Sequence, residues 1–467
     1  MTRRQALAGA IGTATLAMAT PARAHPTTRK PNFLFIMADD MGYADLSCYG
    51  RTEYATPVLD SLAAQGMQFT HGYANSAVCS STRVGLITGR YQYRLPVGLE
   101  EPLANPDLGL EPGLPVLPLL LKQQGYHSAL VGKWHMGGLP RFGPLQSGYD
   151  EFWGNRGGGV DYFTHEVSGR PDLWDGDVLA EEVGYYTDLL ADRSIEFLEA
   201  RAQQADTPWL LSLHFTAAHW PWEANDEQGR AESARLDALP AGTDLNIVHY
   251  DGGDMATYAG MVTSLDANVG RILARLRELG MDQDTVVVFT SDNGGERFSN
   301  TWPFTGKKTE LLEGGIRVPL IVRWPGVTAP GSSSTVPAMS MDWLPTFLAA
   351  AGGNAPAASP FDGVDLMPAL MGATPPPRDL FWRYKSKDQK ALRRGPMKYL
   401  KIGPNEFLFN VVADPLERGN LKDRQPELFA ELKNAHAEWD SHMLNDPDAR
   451  SYGMNASNMA DHYDWHD

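Results

Sequence analysis

The sequence predicts an α/β fold: a large central mixed, mostly parallel sheet sandwiched by helices, with a small C-terminal antiparallel sheet plus helix. Three observations predict it. Residues 32–38, Asn-Phe-Leu-Phe-Ile-Met-Ala, and 285–290, Thr-Val-Val-Val-Phe-Thr, are continuous apolar runs, the pattern of strands buried on both faces. Helical stretches with one apolar face alternate with these and other short apolar runs, as in βα units. Beyond residue 379, short segments at 380–384, 390–393, 398–402 and 406–410 have the length and spacing of a small antiparallel sheet.

The elements follow in order. The first strand ends in Asp39-Asp40-Met41-Gly42-Tyr43. Two adjacent acids at the end of a buried strand are costly unless solvated or bound to a cation, and that end is where open α/β sheets build sites. Thr56-Pro57 opens a helix, a capping residue with Pro at the first helical position, and Gly66 ends it. A short strand at 67–70 leads to Cys79. Further helices are expected at 115–124, 180–202, 255–279, 341–351 and 427–444, and further strands at 127–131, 209–215 and 320–323. Residues 138–176 read as an irregular loop, 223–254 as an acidic lid, and 354–377 as a linker with turns.

Polar groups recur just past strand ends. Gly132-Lys133-Trp134-His135 follows one strand, and in an extended chain Lys133 and His135 point the same way. His219 follows another, and Ser291-Asp292-Asn293-Gly294 a third. Each has a plain structural reading as a surface residue, a packed histidine or a solvated turn. Together Asp39, Asp40, Asp292 and Asn293 offer only oxygen ligands, which suit Ca²⁺ or Mg²⁺. Lys307-Lys308 supplies a positive centre in a chain whose formal net charge is −17.

Ser80, Ser81 and Thr82 favour helix N-caps, and Val84, Leu86 and Ile87 give an apolar face. Cys79 is therefore expected at the mouth of a helix N-terminus, where the dipole and Arg83 favour negative charge. The alternative is a buried structural cysteine. Cys48, the other cysteine, reads as a packing residue, since a disulfide would consume Cys79.

The 467 residues allow one large domain and a smaller one, and 43% apolar residues exclude disorder. No apolar run is long enough to span a membrane, and the acidic balance argues against a general nucleic-acid binder. Arg3-Arg4, the weakly apolar 6–19 and Ala22-Arg23-Ala24 form an export signal at 1–24 of twin-arginine type. The expected product is periplasmic or secreted. The large domain is expected at 25–355 and the small α+β subdomain at 356–467.

The stretch from Cys79 to Arg90 resembles the signature of the type I sulfatases, Cys-x-Pro-x-Arg followed by apolar residues and Thr-Gly-Arg. Cys79, Arg83, Leu86, Thr88, Gly89 and Arg90 fall in its places, while Ser81 stands where that family has Pro and Thr82 where it has Ser. The resemblance extends in order through the segments above, over about residues 30–440. It implies an alkaline-phosphatase-like fold and a sulfuric ester hydrolase acting on a sulfated small molecule or saccharide. It also implies that a formylglycine-generating or maturase enzyme converts Cys79 to formylglycine. Asp39, Asp40, Asp292, Asn293 and the modified Cys79 would hold Ca²⁺, with Mg²⁺ as second choice. Arg83, Lys133 and His135 would surround the hydrated aldehyde, and His219 and Lys308 would contact sulfate oxygens. One hydroxyl of such a hydrate attacks sulfur and the other expels sulfate by reforming the carbonyl. Cationic groups stabilise the charge that develops, and Asp292 or His219 protonates the leaving alcohol. The family's serine near the nucleophile has no counterpart around Gly157-Gly158-Gly159. Two other readings stay open: a phosphate or phosphonate ester hydrolase of the same superfamily, and a sulfated-glycan-binding protein with Cys79 unmodified.

Overall fold

The computed structural model describes residues 29–99, 101–102, 105–167, 169–239, 252–358 and 360–446. The expected export signal lies outside them, as does part of the expected lid. The strands are β1 (Asn32–Ala38), β2 (Met67–Phe69), β3 (Gly72–Tyr73), β4 (His127–Gly132), β5 (Glu151–Gly154), β6 (Glu166–Val167), β7 (Arg170–Pro171), β8 (Trp174–Asp175), β9 (Val178–Leu179), β10 (Trp209–His214), β11 (Thr285–Ser291), β12 (Leu320–Arg323), β13 (Ser332–Ser334) and β14 (Ala338–Met339). Four more, β15 (Asp379–Tyr384), β16 (Gln389–Arg394), β17 (Met397–Ile402) and β18 (Asn405–Asn410), lie toward the C-terminus.

The large sheet has ten strands in the order β13-β2-β12-β11-β1-β10-β4-β5-β8-β9. Its centre, β11-β1-β10-β4-β5, is parallel, and β12, β8 and β9 make it mixed. Successive side chains of β1 point to opposite faces. Leu34, Ile36 and Ala38 join one core with Leu190, Phe197, Leu265 and Val269, while Phe33, Phe35 and Met37 join the other with Val84, Ile87, Leu120 and Phe347. Helices α1 (Pro57–Gln65), α4 (Tyr186–Ala202) and α6 (Met255–Glu278) cover the first face; α2 (Cys79–Thr88), α3 (Leu117–Lys122) and α8 (Trp343–Ala350) cover the second, and the single turn α7 (Glu313–Ile316) lies between β11 and β12 in the chain. Both faces of β1 are thus dry, which is why its sequence does not alternate.

Several expectations change. Val78 is the N-cap of α2, so Ser80, Ser81 and Thr82 lie inside the helix rather than capping it. The loop at 138–176 contributes β5 to the parallel sheet; Phe152 and Trp153 are both buried, too short a run to show a period. The acidic 223–254 segment contains α5 (Glu227–Asp237), capped by Asp226, whose Oδ1 accepts from Gly229 N at 2.8 Å. In the expected linker, α9 (Met367–Leu370) forms and Leu366 and Leu370 enter the large core.

The C-terminal strands form the expected antiparallel sheet in sequential order. Leu432 of α10 (Pro426–Asp440) packs on one face against Leu392, Tyr399 and Leu408. The other face, with Trp382 and Leu400, packs on Tyr73, Tyr91, Tyr93 and Met341 of the large unit. Among the described residues no helix is long and apolar enough to cross a membrane.

Candidate active site

Parallel pairing brings the carboxyl ends of neighbouring strands to one edge. β1 and β11 run in register from Asn32↔Thr285 to Ala38↔Ser291, so Asp39 and Asp292 emerge side by side. Lys133 follows β4, whose Gly132 pairs with His214 of β10. Asp40 sits at φ 57°, a left-handed conformation that costs a non-glycine residue. Its turn is held from β11: Asp40 N donates to Asp292 Oδ1 at 3.3 Å, Met41 N to Ser291 Oγ at 3.0 Å, and Asn293 Nδ2 to Asp40 Oδ1 at 2.8 Å.

Cys79 is the first residue of α2 and is buried, with Sγ 3.3 Å from Asp39 Oδ1 and 3.8 Å from Asp40 Oδ1. Ligand atoms of Asp39, Asp40, Cys79 and Asp292 all lie within 4.8 Å of one another. Cations ring this set. Lys133 Nζ is 2.5 Å from Asp39 Oδ2, Arg83 Nη2 is 2.7 Å from Asp292 Oδ2, and Lys308 Nζ is 2.7 Å from Asp40 Oδ2. His219 Nε2 lies 3.6 Å from that last oxygen. His135 is buried and neither ring nitrogen has a partner. All ten residues singled out in the sequence therefore meet in one place.

Burial and charge set their protonation together. Burial alone would raise Asp40, but Lys308, His219 and Lys133 outweigh it and hold the carboxyl below its ordinary range. Burial and the neighbouring Asp39 push Asp292 up to about 6 against the pull of Arg83. Burial opposes the charge on Lys133 and Lys308, yet Asp39 and Asp40 hold both ammonium groups. Burial and Lys133 drive His135 well down, and burial and Lys308 bring His219 to about 3. Both rings are neutral near pH 7. His219 Nδ1 lies 2.6 Å from Trp220 O, which fixes its proton on Nδ1. The expectation for Cys79 is reversed: burial, Asp292 and Asp39 push the thiol well up, overriding dipole and arginine.

Other residues complete the site without a sequence signal of their own. His214 Nδ1 lies 3.3 Å from Arg83 Nη1, inside an apolar strand. The Gly157–Gly159 run, visible in the sequence, passes against both histidines: a Cβ on Gly158 would lie 2.7 Å from His135 Cε1, and one on Gly159 3.1 Å from His219. A serine at Gly158 or Gly159 could not fit without moving the ring beside it. An open cleft lies beside the start of α2, lined in part by Val78, Ser81, Glu101, Tyr384 and Lys385.

The sulfatase family model matches residues 31–353. The chain belongs to the sulfatase family. N-acetylgalactosamine-6-sulfatase of Canis lupus familiaris is 31% identical over 402 residues, 79% of this chain and 71% of that protein. Arylsulfatase A of Homo sapiens is 31% identical over 438 residues, 86% of this chain and 82% of that protein. The crystal structure of Ps i-CgsB in complex with k-i-k-neocarrahexaose superposes with a TM-score of 0.80 at 28% identity, covering 92% of this chain and 96% of that one. This sulfatase is a sulfuric ester hydrolase on the alkaline-phosphatase-like fold, and its family implies a metal site.

Proposed function

We propose that this sulfatase hydrolyses a sulfate ester of a carbohydrate, with Cys79 converted to formylglycine and Ca²⁺ held by Asp39, Asp40, Asp292, Asn293 and the modified residue. The observation that carries this reading is the approach of Cys79 Sγ to 3.3 Å from Asp39 Oδ1 within a cluster flanked by Arg83, Lys133 and Lys308. The residues fit a hard cation. Asn293 Oδ1 is buried with no donor, a costly state unless a cation takes the oxygen. Three carboxylates in contact range favour Ca²⁺, with more protein oxygens than Mg²⁺ usually accepts.

When present, the cation neutralises carboxylate charge that would repel a sulfate ester, and the formylglycine hydrate supplies the nucleophilic oxygen. The chain's own residues supply the rest. Lys308, kept charged by Asp40, would take a sulfate oxygen as charge grows on it, and Lys133, kept charged by Asp39, would hold the hydrated aldehyde. Arg83 fixes Asp292 through Nη2 and donates from Nη1 to Lys133 O at 3.1 Å, so the nucleophile's helix and the Lys133 strand end move as one. His135, neutral and unpartnered, offers one donor and one acceptor. Asp292, with Oδ1 engaged by Asp40 N and Oδ2 by Arg83, and His219, whose Nε2 carries no proton in the free site, are the two candidate donors to the leaving alcohol; His219 serves only once the negative sulfate ester has favoured a proton on Nε2.

A saccharide leaving group is supported by the polar Glu101, Tyr384 and Lys385 in the cleft and by the likeness to a protein crystallised with neocarrahexaose. The division into a catalytic part at 25–355 and a subdomain at 356–467 belongs to the same proposal, supported by the family match at 31–353, as does export to the periplasm or medium.

The test pairs peptide mass spectrometry across residue 79 with sulfate release from defined sulfated saccharides, an aryl sulfate and an aryl phosphate. Formylglycine in the active fraction, preference for a saccharide, loss of turnover on chelation and recovery with Ca²⁺ are expected. Robust turnover by protein whose residue 79 is wholly cysteine would overturn the mechanism. Preference for phosphate would favour the related ester hydrolase.

A further inference from the structure

The loop that carries Lys308 is held from two sides. On the catalytic side, Lys308 N donates to Gly295 O at 3.0 Å and Thr309 N to Ala77 O at 2.9 Å. Thr309 is buried at φ 74°, so the chain reverses sharply just after the lysine in a conformation a β-branched residue adopts only when its surroundings impose it. On the other side an amide from the C-terminal sheet holds the loop's middle. Gln389, the first residue of β16 and 2% exposed, donates from Nε2 to Thr309 O at 2.9 Å, while its Oε1 accepts from Leu311 N at 2.9 Å. Its Nε2 also reaches Ser386 O at 3.1 Å. The orientation of this amide is determined, because a flipped one would set oxygen against Thr309 O and N–H against Leu311 N–H.

We propose that Gln389 is a positioning residue for the sulfatase reaction: by gripping both sides of residue 310 it holds Thr309 in its left-handed turn and so sets where the Lys308 ammonium stands over Asp40. The C-terminal sheet is then part of the active site through the backbone it holds. This rests on the reading that places Lys308 on the sulfate. A lysine side chain has four rotatable bonds, so its useful position depends on where its Cα is fixed, and a displacement near 1 Å at a reacting site costs on the order of 100-fold in rate. A purely structural glutamine would instead satisfy two buried backbone groups and act on stability alone.

A double-mutant cycle separates these roles. Lys308→Ala, Gln389→Met and the double variant are assayed for kcat and KM with an aryl sulfate, after their formylglycine content and thermal midpoints are measured. Gln389→Met keeps the volume and removes both hydrogen-bonding ends; Gln389→Glu serves as the isosteric second variant, since an ionised carboxylate cannot donate to Thr309 O. Gln389→Met is expected to lower kcat/KM about 10-fold or more, mostly through kcat, yet to change the Lys308→Ala enzyme less than about twofold. Equal fractional losses in both backgrounds, or no loss in the wild-type background while Lys308→Ala is severely impaired, would overturn the positioning role alone. A fully active Lys308→Ala enzyme would overturn the placement of Lys308 on the sulfate, and the inference with it.

Discussion

A thiol at the start of a helix with an arginine one turn on is ordinarily acidified. At Cys79 full burial and the carboxylates of Asp292 and Asp39 reverse that. A protonated, buried thiol is a poor nucleophile, which supports the proposed conversion of Cys79. Ser81 bears on that modification. It is the third residue of α2 and its Oγ donates to Gly98 O at 3.1 Å. Its backbone N–H belongs to the first turn, which has no intrahelical acceptor, so proline is tolerable there. The proposed modification would act on the unfolded chain, where local sequence decides the yield. Ser81→Pro should therefore raise the formylglycine fraction in a foreign host and leave turnover per modified site unchanged, at a cost near 1 kcal/mol from the lost hydrogen bond. Mass spectrometry with active-site-normalised kinetics checks this, and an unchanged fraction would count against it.

Among the elements, two segments beside the strand ends do separate work. The Gly157–Gly159 run gives His135 and His219 their room. Gly158→Ala would drive a methyl into the His135 ring, 2.7 Å from Cε1. We expect a loss of about 1–3 kcal/mol of stability from overpacking and a fall in kcat; an enzyme with wild-type kcat would show that the run has slack. Behind His219, Tyr162 Oη donates to His219 O at 3.0 Å, and Tyr162 N donates to Glu223 Oε2 at 2.9 Å. Glu223 Oε1 meets no donor, and the carboxyl of Asp161 stands near it; burial and Asp161 raise Glu223 from 4.5 to about 10. The folded protein keeps this proton where the unfolded chain has lost it, so the contribution is fully present below about pH 4.5 and is lost as pH rises toward 10. Glu223→Gln keeps the acceptor for Tyr162 N and removes the titration. Its thermal midpoint should match wild type at pH 4 and exceed it at pH 9; superimposed pH curves would refute the assignment.

Across the whole molecule, the C-terminal sheet is joined to the catalytic unit by buried charge as well as by Trp382 and Leu400. Lys398 on β17 is fully buried, 3.0 Å from Glu313 Oε1 and 2.9 Å from Glu417 Oε1. Glu417 Oε2 accepts from Glu313 N at 2.7 Å, and Thr305 Oγ1 donates to Leu416 O at 2.7 Å. These bonds clamp both ends of the loop that bears Lys308. Lys398→Met would leave the buried Glu417 facing Glu313 without the cation they share, while Glu313 keeps Arg317 at 3.2 Å, a change expected to cost about 3–5 kcal/mol. Chemical denaturation should show that loss in a single transition, since the two units share a core. A separate, earlier unfolding of the C-terminal sheet would show instead that the two are independent.

Residues 32–38 and 285–290 announced buried strands, and the acids and amide that follow them pointed to a site, because acids at the end of a dry strand are costly unless solvated or bound to a cation. The Cys79 stretch and its order relative to Lys133, His219 and Lys308 were enough to mark the family. What the chain could not state locally was decided by packing. Which strands are neighbours, and hence that Asp39 meets Asp292 across 253 positions, follows from the sheet order. β5 was hidden because Phe152-Trp153 is too short for a period, and Gln389 because a glutamine at a strand start looks like any surface residue. The sign of the shift at Cys79 was hidden too, since a pKa depends on the charges that the fold gathers around a group rather than on its sequence neighbours.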